Sequence, residues 1–374
     1  MADRKRPASG TGALPGKNLR DRVEAVRWVY PGYFALVMAT GIVSSALQEA
    51  GWPGLSGLLL VVAVVSFAVL AAVFTVRVAA FAREVLADLS APGRAYGFFT
   101  FVAACGVVGT RIAADGTPMA AVVLGVIGFV AWAGLSYGVP VRLILGPRTD
   151  PVLAGVNGSW FIWVVGSQSL AVVAATVGSA FPGRAGAAGL AAVLMWSVGV
   201  VLYLIVATLV LARLLLLEVR PQDLTPPYWI AMGATAITVL AAARILRMPQ
   251  GAATSAVEPV VTGLAVVFWA FGTWLIPLLA VFTIWQYVLR RVHLEYLPQL
   301  WSIVFPLGMY AAAGMALGRV AGLPIIEGIG RAWVWVAFAA WGLVFAAMLA
   351  ALLRPFLGRM GRSAAVAGRP SDES

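Results

Sequence analysis

Uninterrupted apolar runs, most of them long enough to cross a lipid bilayer, recur from residue 30 to residue 353. About 20 apolar residues in a helix span the hydrocarbon core, and such runs have no place in a water-soluble domain. Composition agrees, since 61% of the 374 residues are hydrophobic and 11% are charged. The reading is therefore an all-α membrane protein, with ten spans at about 30–48, 57–78, 95–112, 119–141, 157–178, 188–217, 227–246, 259–288, 300–320 and 333–353. It divides the chain into a basic disordered tail over 1–27, a membrane domain over 28–354 and a second disordered tail over 355–374.

Charge gives the spans a direction. With an even number of spans and the N-terminus inside, twenty of the 26 Lys and Arg fall on the cytoplasmic side and six on the other. This asymmetry is the usual topology signal, and it predicts that both tails are cytoplasmic. It also accounts for the net charge of +11 without nucleic acid, because the basic residues sit in loops and tails rather than on a separate domain. The Arg-over-Lys bias, 24 to 2, fits a bacterial cytoplasmic membrane.

The odd-numbered spans share a beginning. Each is approached through a turn-forming residue and an aromatic: Pro31-Gly-Tyr33, Pro92 to Tyr96, Asn157 to Trp160, Pro226-Pro-Tyr228 and Pro298 to Trp301. The aromatics lie 63, 64, 68 and 73 residues apart, so the chain repeats a two-helix hairpin five times. Five parallel helices, each followed by a returning partner, can close into a pseudo-fivefold ring of five inner and five outer helices.

Small polar residues favour the odd spans. Thr40, Gly41 and Ser44, Thr100 and Thr110, Ser167 and Gln168, Thr235 and Thr238, and Ser302 are the candidates to line an axial path. A hydroxyl in lipid needs a partner, found on its own helix, on a neighbouring helix or in water, so close helix packing is the competing explanation at each position. Arg111, Arg244 and Arg319 end three odd spans on the outer side, where they serve either as an anion-attracting ring or as interfacial anchors. The acids Asp88, Asp115, Asp150, Glu218, Asp223, Glu258, Glu295 and Glu327 fall at or beyond span ends, which argues against a deep proton relay.

No catalytic or metal constellation is evident. His293 is the single histidine and reads as a solvated loop residue, and Cys105 is the single cysteine and reads as a packing residue. No cofactor is expected. In span nine, Phe305 precedes Pro306, a residue that removes a helix hydrogen bond and permits a kink. The ring is either ordinary core or a gate beside a hinge.

The stretches "PGYFALVMATGIVSSAL", "PPYWIAMGATAITVLAAARIL" and "WSIVFPLGMYAAAGMAL" resemble the tellurite-resistance/dicarboxylate transporter family, which includes the yeast malic acid transporter, sulfite efflux pumps and plant slow anion channels. The resemblance covers about residues 28–354. It implies a homotrimer in which each subunit carries its own pore, inner helices surrounded by outer ones, and a pore plugged by the phenylalanine that matches Phe305. Leu300-Trp301 and Val304 depart from the family's common pattern around that residue. The implied activity is transport of a small anion, such as malate or another mono- or dicarboxylate or a small oxyanion. A proton-coupled alternating-access carrier and a non-transporting receptor or scaffold are the alternatives.

Overall fold

The computed structural model describes residues 24, 26–147, 151–249, 251–292 and 295–367, with side chains to residue 353. His293, Arg148, Asp150 and the tail before residue 24 lie outside the described residues. Among the described residues there is no strand. The long helices are α1 (Ala35–Glu49), α2 (Pro53–Ala80), α3 (Phe99–Ala114), α4 (Met119–Leu145), α5 (Phe161–Ala180), α6 (Ala185–Leu216), α7 (Ile230–Leu246), α8 (Ala252–Ile284), α9 (Trp301–Ala321) and α10 (Pro324–Ala367). A short helix, Ala82–Leu89, follows α2. The last helix runs on past residue 354, where the sequence reading ends the membrane domain.

Nine helices among the described residues are long and apolar enough to cross a membrane. The run that falls short is the first. Its α-helical part has 15 residues, about 22 Å at 1.5 Å per residue, against a hydrocarbon core of about 30 Å. Twelve of those 15 are buried, so α1 presents little surface to lipid and its length is not set by the bilayer.

The shared beginnings of the odd runs become one structural device. A 3-10 turn leads directly into each odd helix: Pro31–Phe34, Ala95–Phe98, Gly158–Trp160, Pro226–Trp229 and Pro298–Leu300. Where proline opens the turn, the residue before it is extended, as at Tyr30, Thr225 and Leu297, which keeps the helix from starting earlier. Each turn packs against the next, and the fifth packs against the first. Gly158 has no room for a side chain there, because a Cβ would lie 2.3 Å from the backbone nitrogen of Tyr228.

Helix contacts follow the same order. α1 packs on α3, α3 on α5, α5 on α7, α7 on α9, and α9 on α1. Each even helix packs on the odd helix before it and on the one after it, with α10 returning to α1. Burial separates the two sets. The apolar windows of α3, α5, α7 and α9 are between 67% and 94% buried, while those of the even helices are between 11% and 33% buried. Exposed Val, Leu, Ile and Phe cover the even helices, a surface suited to hydrocarbon rather than water.

Polar contacts tie every even helix to the odd helix that follows it. Arg111 on α3 donates to Ser56 on α2 at 2.8 Å, and the Trp132 indole on α4 donates to Ser167 on α5 at 2.8 Å. The Trp196 indole on α6 donates to the Thr238 carbonyl on α7 at 3.0 Å, and the hydroxyls of Thr273 on α8 and Tyr310 on α9 share a bond of 2.8 Å. Finally, the Trp341 indole on α10 donates to Thr40 on α1 at 3.0 Å. Where the odd helices begin, Arg77 pairs with Asp88 on the short helix at 2.6 Å and Arg213 with Asp223 at 3.2 Å, anchoring two even helices to the segments that follow them.

Inter-helix hydrogen bonds within lipid contribute about 0.6–2 kcal/mol each. Thr40→Val keeps the shape and removes the acceptor of the closing bond. It should lower stability by about 1 kcal/mol, and Trp341→Phe should add little in the double variant. Thermal unfolding of the purified protein in detergent measures both.

Candidate functional site

The odd helices end on a cavity of about 340 Å³. Apart from Pro118, in the turn before α4, and Arg247, just beyond α7, its lining residues belong to α1, α3, α5, α7 and α9. Among the described residues no even helix contributes. Below, the wall is apolar, with Ile42, Val107, Ile237 and Met309; above, it carries Glu49, Arg111, Arg244, Arg247 and Arg319. Four guanidinium groups face one carboxylate on the lining, and Asp115, paired with Arg111 at 2.7 Å just outside it, brings the excess to two positive charges.

The three expected mouth arginines differ in their bonding. Arg111 is buried, and its Nη1 donates to Asp115 at 2.7 Å, Nη2 to Ser56 at 2.8 Å and Nε to Ser44 at 3.1 Å. The two serines are prepared for this role. The Ser44 hydroxyl donates to the Ser56 carbonyl and the Ser56 hydroxyl to the Ser44 carbonyl, each at 2.8 Å, so that their oxygens are left to accept from Arg111. Arg244 and Arg319 instead share one partner: Oε1 of Glu49 accepts from Arg244 at 2.5 Å, and Oε2 accepts from Arg319. One carboxylate thus joins the ends of α1, α7 and α9.

Glu49 was not among the residues singled out from the sequence. It sits one position beyond the expected end of the first span, beside Gln48, and its signal is positional: it closes an odd run on the same side as Arg111, Arg244 and Arg319.

Of the ten residues expected along a path, Thr110 lines this cavity. The other nine are not part of its lining. Thr40 meets Trp341, Ser44 meets Ser56 and Arg111, and Ser167 meets Trp132. Gln168 donates to the Trp196 carbonyl at 3.1 Å. Thr235 lies against Gly272 on α8 and bonds the Met232 carbonyl, while the Thr238 hydroxyl bonds Ala234 and Thr100 bonds Gly97. Gly41 lies against Val107 on α3, and Ser302 is buried near the start of α9. The cavity takes its other hydroxyls from Ser45, Ser169 and Thr176. Ser45, Thr110 and Thr176 each donate to the carbonyl four residues back, at 3.0, 2.8 and 2.9 Å. The Ser169 hydroxyl is buried without a partner among the described residues.

Phe305 is fully buried. On α9 it stands four residues before Met309 and seven before Ala312, both of which line the cavity. Residues so spaced share a helix face, which places Phe305 one turn below the floor on the cavity-facing stripe. Pro306 points to α7: a Cβ on Gly233 would lie 2.9 Å from Pro306 Cγ. The α9 helix continues through this proline.

Residues 29–349 match the voltage-dependent anion channel (SLAC1) family. The chain belongs to that family. An uncharacterized transporter of Methanocaldococcus jannaschii is 26% identical over 336 residues, covering 86% of this chain and 93% of that protein. An uncharacterized membrane protein of Mycobacterium tuberculosis is 53% identical over 171 residues, which is 46% of this chain and 86% of that protein. The family assignment agrees with the resemblance read from the three sequence stretches, and it marks the chain as a membrane transporter or channel rather than an enzyme.

Arg111 supplies a stability test. Ser56→Val removes one acceptor from a buried guanidinium and should cost about 1–3 kcal/mol. Ser45→Ala, which removes only a hydroxyl bonded to its own helix, should change stability by less than about 0.5 kcal/mol. Thermal unfolding compares the two.

Proposed function

We propose that this protein conducts small anions across the bacterial cytoplasmic membrane through a conduit enclosed by the five odd helices. In this reading the chain crosses the membrane ten times with both termini cytoplasmic. The odd helices form the inner wall of a pseudo-fivefold ring, the even helices face lipid, and three copies associate, each with its own conduit. The cavity is the outer mouth. The observation that carries the reading is the origin of its wall: the helices that line it are the odd ones, and its charged rim holds four arginines to one glutamate.

The chemistry is electrostatic rather than coordinative. A rim of positive charge with low-dielectric walls concentrates anions, and an apolar floor without fixed charge gives them no tight resting place. Phe305 is the occluding element in this proposal, since it follows Met309 down the same face and is fully buried one turn below the cavity floor. Mono- or dicarboxylates such as malate, or a small oxyanion, are the solute class. A channel-like mechanism is favoured over alternating access because α8 and α9 continue through Pro277 and Pro306 without the broken midplane helices that carriers use.

Phe305→Ala should raise anion flux into proteoliposomes severalfold over wild type, measured with a panel of malate, succinate, formate, nitrate, chloride and sulfite. An unchanged rate would remove Phe305 from the mechanism. Absence of flux from both proteins would leave a receptor or scaffold as the better account. Replacing Arg244, Arg247 and Arg319 together by Gln leaves Arg111 and Glu49 as the charged residues of the lining. Anion-over-cation preference, read from reversal potentials, should then fall more at low salt than at high salt, because the Debye length shrinks from about 30 Å at 0.01 M to about 3 Å at 1 M.

A further inference from the structure

We infer that Glu49 is a tethered counter-anion: its carboxylate fills the site at which an incoming planar oxyanion would bind Arg244 and Arg319, so that a solute enters by displacing it. The inference rests on the anion-conduction reading and specifies how the outer mouth of that conduit admits its solute.

The geometry of the clamp carries the argument. The two carboxylate oxygens are divided between two guanidinium groups from different helices, Oε1 to Arg244 and Oε2 to Arg319. Planar, two-oxygen anions fit guanidinium donors better than spherical ones do. The Glu49 carboxylate is therefore a template for the ligand, a carboxylate or a small planar oxyanion with two coplanar oxygens. Glu49 is well covered, its side chain 16% exposed, while Arg244 and Arg319 are 36% and 33% exposed. The arginines remain reachable from the opening while their internal partner sits behind them.

Other groups on the same wall have donor capacity to spare. Nε of Arg244 is buried with no partner among the described residues. Arg247 lines the cavity without an ion pair among those residues. Below them the Ser169 hydroxyl, 2% exposed and unpartnered, lines the wall and has a proton to donate, unlike Ser45, Thr110 and Thr176, whose protons are committed to their own helices. An anion that displaces Glu49 meets Arg244 and Arg319 first and a free hydroxyl deeper in. Arg111 plays no part in this exchange, since Ser44, Ser56 and Asp115 occupy its donors.

The test uses the full chain with formate as probe. Glu49→Gln keeps the shape and removes the charge; Asp115→Asn removes one negative charge from the same mouth without touching the Arg244–Arg319 pair. In proteoliposomes the formate concentration for half-maximal flux should fall about tenfold in Glu49→Gln, the scale of one charge-assisted hydrogen bond. It should change little in Asp115→Asn, and the gain should vanish when Arg319→Gln is added. Chloride should gain less than formate. Equal gains in Glu49→Gln and Asp115→Asn would show a general field effect and overturn the inference while leaving conduction intact, as would an unaltered Glu49→Gln. A separate arm does not depend on transport: formate should stabilise detergent-solubilised Glu49→Gln against heat more than wild type. If no variant conducts, the conduction reading fails, and this arm still decides whether Glu49 occupies an anion site. Should Glu49→Gln not fold, Glu49→Asp, too short to reach both arginines, takes its place with the same expected direction.

Discussion

Within a bilayer, apolar contact does little to hold one helix against another, because the lipid tails are as apolar as the side chains. The fold of this protein depends on how it replaces that missing force. Each even helix shares at least one polar contact with the odd helix of the next hairpin, and in four of the five pairs a tryptophan indole or an arginine is a donor. The fifth is a bond between two hydroxyls. An indole N–H or a guanidinium left alone in hydrocarbon is costly, so these contacts specify neighbours as much as they stabilise them. Small residues then let the backbones close in, as at Gly330, where a Cβ would lie 2.5 Å from the backbone nitrogen of Met315.

The odd helices are short and the even ones long: 15 to 21 residues in the first set, 27 or more in the second. Buried helices need not match the thickness of the membrane, and the space beyond their ends holds the charged cavity. Two ways of satisfying arginine coexist there. Arg111 is held by hydroxyls on two helices and by the carboxylate of Asp115 just beyond its own helix, an arrangement that fixes it in place. Arg244 and Arg319 are held by a single carboxylate between them, which leaves each with donors to offer.

The repeat was legible from the sequence because it is written in residues with strong local preferences. Proline fixes where a helix begins, and the aromatics that follow recur at nearly constant spacing, so the hairpins and their order could be read directly. Side-chain direction could not. Ser167, Gln168 and Ser169 are consecutive, yet the first turns to Trp132 on α4, the second to Trp196 on α6 and the third to the cavity. Ser44 and Ser45 part in the same way, one to Arg111 and the other to the cavity wall. Successive residues on a helix are rotated by about 100°. In a helix that is buried on nearly every side, each direction accepts small polar residues, and composition alone assigns none of them. Glu49 escaped notice for a related reason, since a carboxylate at the end of an apolar run is ordinary until the arginines it meets are known.

The contact between Trp341 and Thr40 joins residues 301 positions apart. During synthesis α1 leaves the ribosome before α10, so the flank of α1 that accepts the indole stays without its partner until α10 has been made. The entropic cost of closing so long a loop is offset only when that bond and the packing around it form, which makes the α10–α1 seam the last to seal. A chain truncated anywhere before the tenth helix therefore leaves that flank of α1 without its indole donor, however well the earlier hairpins are formed.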